Sequence, residues 1–561
     1  MMRLWLLFTT LVFFAGWIPI ADAAPSQVGF LVVSPDRGFL GNQEVRSLVD
    51  EFKKSYPAAL GLIGREYTGV EGEYAVYLTR AVQELKQAGA TEIVAIPLFL
   101  SASDPILKRI TPTLPAYAQG LPLRWAPPMV EDYLIGQVVL DRVEALSQQP
   151  DQERLLLVGI GATDEASEKA LKADVEKLLT YVTRYKQFRE TETVIYYDRA
   201  AEGAETKNKE IKARVLAQIA KQGRTLIVPA FIGPRFDHSM SMTSWLGREF
   251  MNLNVAYREA ELLPHPNVLL WLKKTANRSV AAGSNEIGVV IMPHGSTQPW
   301  NDAAERVIEP LKATYKIEMA YGMGDPGIIQ EAVSRLEQRG VKRIVFVRMY
   351  QLAHHMKPLS DYILGLAESP RPLGASGGHG HDASYPPQVR SAVLFSTFGG
   401  YEEYPEIAQV VCERITEVSK DPAKETVLLL AHGSETDQDN AEWISVMNAN
   451  IERVKKDPRC ASFKAIKAAT VREDWPDVRE KAVGDVRKMI QEDAKTGRVL
   501  VIANRLYGSG PYKKMLNGLD YVLNEKGLVH PVITRWLEEG IGRTTAALTG
   551  PLNADNRLAQ R

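Results

Sequence analysis

The sequence predicts an α/β protein built of four repeated, doubly wound parallel-sheet modules, and three observations predict it. Four short, apolar, β-branched runs, at 28–33, 155–160, 287–292 and 427–431, recur about 125 to 140 residues apart. A second run of the same kind follows each of them after roughly 55 to 70 residues, at 93–100, 226–231, 344–350 and 499–503. Helix-patterned stretches precede these second runs, as in 81–88 (AVQELKQA) and 331–339 (EAVSRLEQR), and Gly89, Gly223, Gly340 and Gly497 fit the role of helix terminators. Short strands that are apolar throughout and alternate with helices belong to parallel sheets covered on both faces. Such sheets gather their ligands at the carboxyl ends of the strands.

Taken in chain order, the first residues are Met1-Met2-Arg3, an apolar run from 4 to 20, and Ala21-Asp22-Ala23-Ala24. This is the pattern of an export signal with a small-residue cleavage site, so 1–24 are set apart from the fold and a periplasmic location is expected. No stable membrane span is expected after cleavage. The modules then fall at 25–150, 151–280, 281–422 and 423–550, with a polar tail at 551–561. A stretch rich in Pro, Gly, Ser and His at 366–387 interrupts the third module as a loop. The 67 basic and 68 acidic side chains leave a net charge of -1. That excludes the broad positive field of a nucleic-acid binder. With two cysteines, Cys412 and Cys460, the chain is no disulfide scaffold, although one bridge is allowed in an oxidising compartment.

The strand ends carry the chemistry. Module three reads MPHGSTQPWND, with His294, Gly295 and Ser296, and module four repeats it as LAHGSETDQDN, with His432, Gly433 and Ser434. Modules one and two read SPDRGFLGN and GIGATDEAS there and lack the histidine. After its second run, module three continues RMYQLAHHMKPLSDYI, which places His354, His355 and Lys357 on a loop; module four has NRLYGSGPYKKML instead. Module two has PAFIGPRFDHSMSM, whose His238, Met240 and Met242 could face one way as soft ligands.

An apolar strand ending in His-Gly-Ser, a helix beginning near Asn-Asp-Ala, and a second strand running into a His-bearing loop resemble the class II chelatases, the sirohydrochlorin cobaltochelatases of cobalamin biosynthesis among them. The resemblance is strongest over 286–545. It implies four-stranded parallel modules that face each other in pairs across a cleft, here two bilobal pairs, with His294 and His355 meeting in the cleft as catalytic residues and metal ligands. His354 is the alternative to His355. It further implies a divalent metal as substrate, Co²⁺ first and Fe²⁺ or Ni²⁺ next, a tetrapyrrole as partner, and no organic cofactor. Neutral imidazole suits the task because it binds borderline ions and also accepts the protons that leave the pyrroles. Cations should meet the carboxylates of the macrocycle, and Arg348, Lys357, Lys513 and Lys514 stand near the loops, with Ser296 and His432 as further contacts. One departure stands out: where family members carry a glutamate, this chain reads MAYGMGDPGII, with Gly322 and Gly324, leaving Asp325 as a substitute.

The loop GASGGHGHDASYPP adds His379, His381 and Asp382 as a metal-capturing stretch. The competing expectation is a non-catalytic periplasmic carrier of metal or tetrapyrrole on the same scaffold. A two-lobed solute receptor is a third, and it requires no convergence of histidines. A metal transporter or a second copy of the chain are the protein partners that such a scaffold would meet.

Overall fold

The computed structural model describes residues 27–65, 73–199, 201–370 and 385–552. The proposed export signal, the histidines at 379 and 381, and the end of the tail lie outside them.

Sixteen strands form four sheets. The first holds β1 (Val28–Pro35), β2 (Ala58–Ile63), β3 (Glu92–Pro97) and β4 (Leu123–Trp125); the second holds β5 (Arg154–Ala162), β6 (Glu190–Tyr197), β7 (Thr225–Pro229) and β8 (Val255–Tyr257). The third holds β9 (Ile287–Pro293), β10 (Lys316–Met319), β11 (Arg343–Met349) and β12 (Leu394–Gly399), and the fourth β13 (Glu425–Ala431), β14 (Ala465–Thr470), β15 (Arg498–Ala503) and β16 (Val522–Asn524). Every sheet has the order second, first, third, fourth, and every pairing is parallel. The two recurrent apolar runs of each module are therefore its two central strands, buried along nearly their whole length, as in β9 and β11. That double burial is why they read as unbroken apolar stretches.

The modules pair as expected. One buried apolar cluster runs through modules one and two, from Val28 to Ala276, and another through modules three and four, from Ala282 to Leu548. The pairs meet through polar contacts: Asn277, whose Oδ1 accepts from Tyr56 Oη of its own pair (2.6 Å), donates through Nδ2 to the Ala392 carbonyl (2.8 Å), and Gln137 Nε2 donates to the Gln388 carbonyl (2.9 Å). No helix among the described residues is long and apolar enough to cross a membrane.

Gly89, Gly223 and Gly340 take positive φ as helix terminators do; Gly497 does not, and is needed because a side chain there would meet the Lys424 carbonyl at 2.1 Å. Cys412 and Cys460 are joined in a disulfide.

Candidate metal centre

In all four modules a positive-φ glycine stands at or just beyond the last residues of the first strand, in Arg37-Gly38, Ile160-Gly161, His294-Gly295 and His432-Gly433. The turn is conformationally demanding, since an L side chain at these angles costs about 1 kcal/mol or more. What precedes the glycine decides what the module presents. In both histidine turns the imidazole Nδ1 faces the carbonyl of the following glycine, at 2.6 Å for His294 and 2.8 Å for His432. A carbonyl only accepts, so Nδ1 carries a proton in each and Nε2 is the nitrogen left for chemistry.

From there the two histidines differ. The exposed ring of His294 lies 6.4 Å from those of Trp300 and Tyr350. His432 Nε2 reaches Asp474 Oδ2 at 2.6 Å. With acceptors at both nitrogens, His432 is biased toward its protonated form. Burial opposes that charge most strongly, but the Asp474 hydrogen bond, the Glu473 charge and the Gly433 carbonyl together raise its pKa above the ordinary 6.5. Ligand atoms of His432, Glu473 and Asp474 lie within 4.8 Å of one another. Glu473 is 9 % exposed and paired through Oε1 with Arg505, yet its buried Oε2 receives no hydrogen bond. A buried carboxylate oxygen without a donor is costly unless a cation is its partner.

His355 comes to this group from the other module. Its ring centroid is 5.4 Å from Trp443 and 4.7 Å from His354, and His432 lies on Trp443 at 6.4 Å. Enclosure by protein, and then the charges of His354 and His432, push the His355 pKa down to about 3. The ring is thus neutral across the physiological range, with no proton to displace from its donor nitrogen.

Two pinned loops hold this arrangement. Gln351 Nε2 donates to Glu402 (2.7 Å) and to the Asn504 carbonyl (2.9 Å), and Ala353 N donates to Glu403 (2.7 Å), which ties the His354-His355 loop to both modules. Opposite, Arg472 donates to the Ser434 carbonyl (2.6 Å) and pairs with Asp437, clamping the His432 turn. Met356 and Arg472, immediately beside His355 and Glu473, are two of the four non-glycine residues with positive φ among the described residues. Strain of this kind persists where surrounding contacts over-determine it.

Several expected roles change. The ring contacts of His294 are with Trp300 and Tyr350, and those of His355 with His354 and Trp443, the indole that His432 also lies against. His432, expected as a contact for the macrocycle, is the centre of the donor group. Arg348 is 2 % exposed and faces Asp361, because it sits on the central strand β11, so it cannot reach a ligand in solvent. Lys357 is paired with Asp361 and Lys513 with Glu525. Ser296 is exposed, its N–H donating to Asn301. Asp325 caps a helix by accepting from Ile328 N (2.9 Å) and is committed there. Met242 packs on the core while Met240 is 59 % exposed, so the two thioethers do not act together. Glu473 and Asp474 were missed. They follow β14 in REDWP, the same place as MGDPG after β10, and aligning those two turns would have revealed the acids in module four that module three lacks.

In modules one and two the equivalent cleft is closed. Arg37, in the histidine's position, is fully buried and bonds Glu44, Glu261 and the Gly233 carbonyl, a bridge from module one to module two. The cavity that remains between the strand ends is about 50 Å³.

Compared with known proteins, the chain matches no protein-family model and no curated protein. Among solved structures it is similar to SirB from Bacillus subtilis with Fe3+, at 19% identity and a TM-score of 0.33, over 45% of this chain and 96% of that one. A likeness at that score carries no weight for fold or function.

Proposed function

We propose that the cleft between modules three and four binds a divalent metal ion and inserts it into a tetrapyrrole of the sirohydrochlorin type, with Co²⁺ as the first candidate and Fe²⁺ or Ni²⁺ next. The observation that carries this reading is the donor group of His432, Glu473 and Asp474, with a neutral His355 against the same indole as His432. The motif resemblance of the third and fourth modules to class II chelatases points the same way.

In this reading the ion is substrate. His355 supplies a lone pair that no proton occupies, and the two carboxylates neutralise the ion's charge. Binding of the ion would displace the Nε2 proton of His432 to solvent; once the ion has moved into the macrocycle, the freed His432 and Asp474 are placed to take the two pyrrole protons. Trp475, half-buried with its ring 5.2 Å from that of His432, offers a face for a flat ligand. Export to the periplasm belongs to the same proposal; it is supported by the apolar leader and by the disulfide, which suits an oxidising compartment.

The test is the absorption spectrum of sirohydrochlorin mixed with Co²⁺ and pure protein. Insertion changes the spectrum at a rate above the protein-free control, and His355→Ala and His432→Ala abolish the gain. A rate equal to the control refutes the enzyme reading.

A second reading is a carrier that holds metal without inserting it. It is favoured by the burial of Arg348 and the pairing of Lys357 and Lys513, which leave those cations already engaged rather than free for the macrocycle's carboxylates. Metal binding by calorimetry without spectral change would select it.

A further inference from the structure

The proposed chemistry leaves one histidine unused. His354 Nδ1 lies 3.0 Å from Glu442 Oε1, and the two side chains remain 34% and 50% exposed. An ion pair this exposed contributes about 0 to 1 kcal/mol to stability, so stability is a weak account of it. Its position says more. The His354 ring is 4.7 Å from His355, His355 is 5.4 Å from Trp443, and His432 lies on that same indole. Glu442 is the chain neighbour of Trp443 on the helix Asp437–Val454. One turn earlier on that helix Asp439 has a buried Oδ2 that receives no hydrogen bond. Donors of the types that divalent ions prefer therefore stand on both sides of the Trp443 indole, with His354 and Glu442 at the exposed edge of the His355 loop, and the pinned loop fixes the spacing of His354 and His355.

We propose that His354 and Glu442 form an outer station that takes a hydrated divalent cation from solvent and passes it, by exchange of ligands, to His355 and the His432, Glu473 and Asp474 group. The inference rests on the reading that the inner group holds metal. It adds a route and an order of events: an exposed carboxylate and imidazole can exchange bound water quickly, whereas His355 and Glu473 are shielded from solvent.

The full chain is mixed with Co²⁺ in a stopped-flow instrument and loading is followed by visible absorption, while calorimetry gives the equilibrium affinity. His354→Ala and the isosteric Glu442→Gln should load roughly tenfold more slowly than wild type, with the equilibrium affinity kept within about twofold; Asp474→Asn should lose affinity by roughly 10- to 100-fold. Wild-type loading rates in both outer variants overturn the relay and leave the inner site standing. Loss of affinity in His354→Ala as large as in Asp474→Asn also overturns it, because His354 is then a permanent ligand. If wild-type protein binds no Co²⁺, the metal reading fails and the relay fails with it.

Discussion

Replacing Glu473 with Gln separates a metal-binding role from a structural one, because the two predict opposite signs. The buried Oε2 of Glu473 receives no hydrogen bond and stands in a group with Asp474 and His432. An unsatisfied buried acceptor costs roughly 1–3 kcal/mol. The amide of Gln removes one negative charge and offers a donor in nearly the same volume. Against that gain stands the ion pair with Arg505, of which Gln keeps the hydrogen bond through its own Oε1 while losing the charge. The metal-free variant should therefore equal the wild type or exceed it by about 1 kcal/mol. Metal binding should move the other way. With Co²⁺ at a hundred times the dissociation constant, wild type gains about 2.7 kcal/mol; a loss of roughly 30-fold in affinity reduces the gain to about 0.9 kcal/mol at the same concentration. Urea denaturation of both proteins with and without Co²⁺ reads both quantities. If Glu473→Gln destabilises the metal-free chain and retains the full shift on adding Co²⁺, the assignment of Glu473 to the ion is wrong.

Further outcomes follow from other contacts. Arg37→Met leaves Glu261 buried without its guanidinium, so modules one and two should lose about 3–5 kcal/mol of stability in urea denaturation while calorimetric Co²⁺ binding by the other pair is unchanged. Opening the Cys412–Cys460 bridge, which spans 48 residues, should cost about 4 kcal/mol by loop entropy, seen as a lower urea midpoint in reductant. Because His432 is raised above 6.5 in the folded chain, its stabilising pairing with Asp474 is complete below about pH 6.5 and fades as pH rises through the raised value. The stability gap between wild type and Asp474→Asn should accordingly be widest between about pH 5 and 6.5 and narrow in alkaline buffer; a gap that widens with pH refutes the imidazolium assignment.

The repeat was legible because burial on two faces writes itself into composition: β9, β11, β13 and β15 are apolar almost throughout, and no polar register masks them. The fourth strand of each module was hidden by its size or exposure; β4, β8 and β16 have three residues each, too few to carry a period. At the site, residue types were legible but partners were not. His294 and His432 occupy equivalent turns, and only packing between modules determines that His355 and His432 share the Trp443 indole. Arg348 looked available because a charged residue near a strand end reads as exposed, whereas the register of β11 with β9 and β12 places it inside the sheet. Asp325 and Asp474 both precede a helix within two residues of a proline, so composition alone cannot tell a cap from a ligand; the distinction lies in whether the carboxylate turns toward Ile328 N or toward His432.

The disulfide bears on more than the stability of the chain. Cys412 belongs to the helix Ile407–Thr416, which follows the Glu402-Glu403 turn that anchors the His355 loop, and Cys460 follows the helix that bears Glu442 and Trp443. Both walls of the cleft thus hang from one covalent knot at its back. The spacing of the His355 loop from the indole-bearing helix is braced by a covalent tie as well as by hydrogen bonds and packing, and protein matured without the tie would have to keep that spacing by the weaker contacts alone.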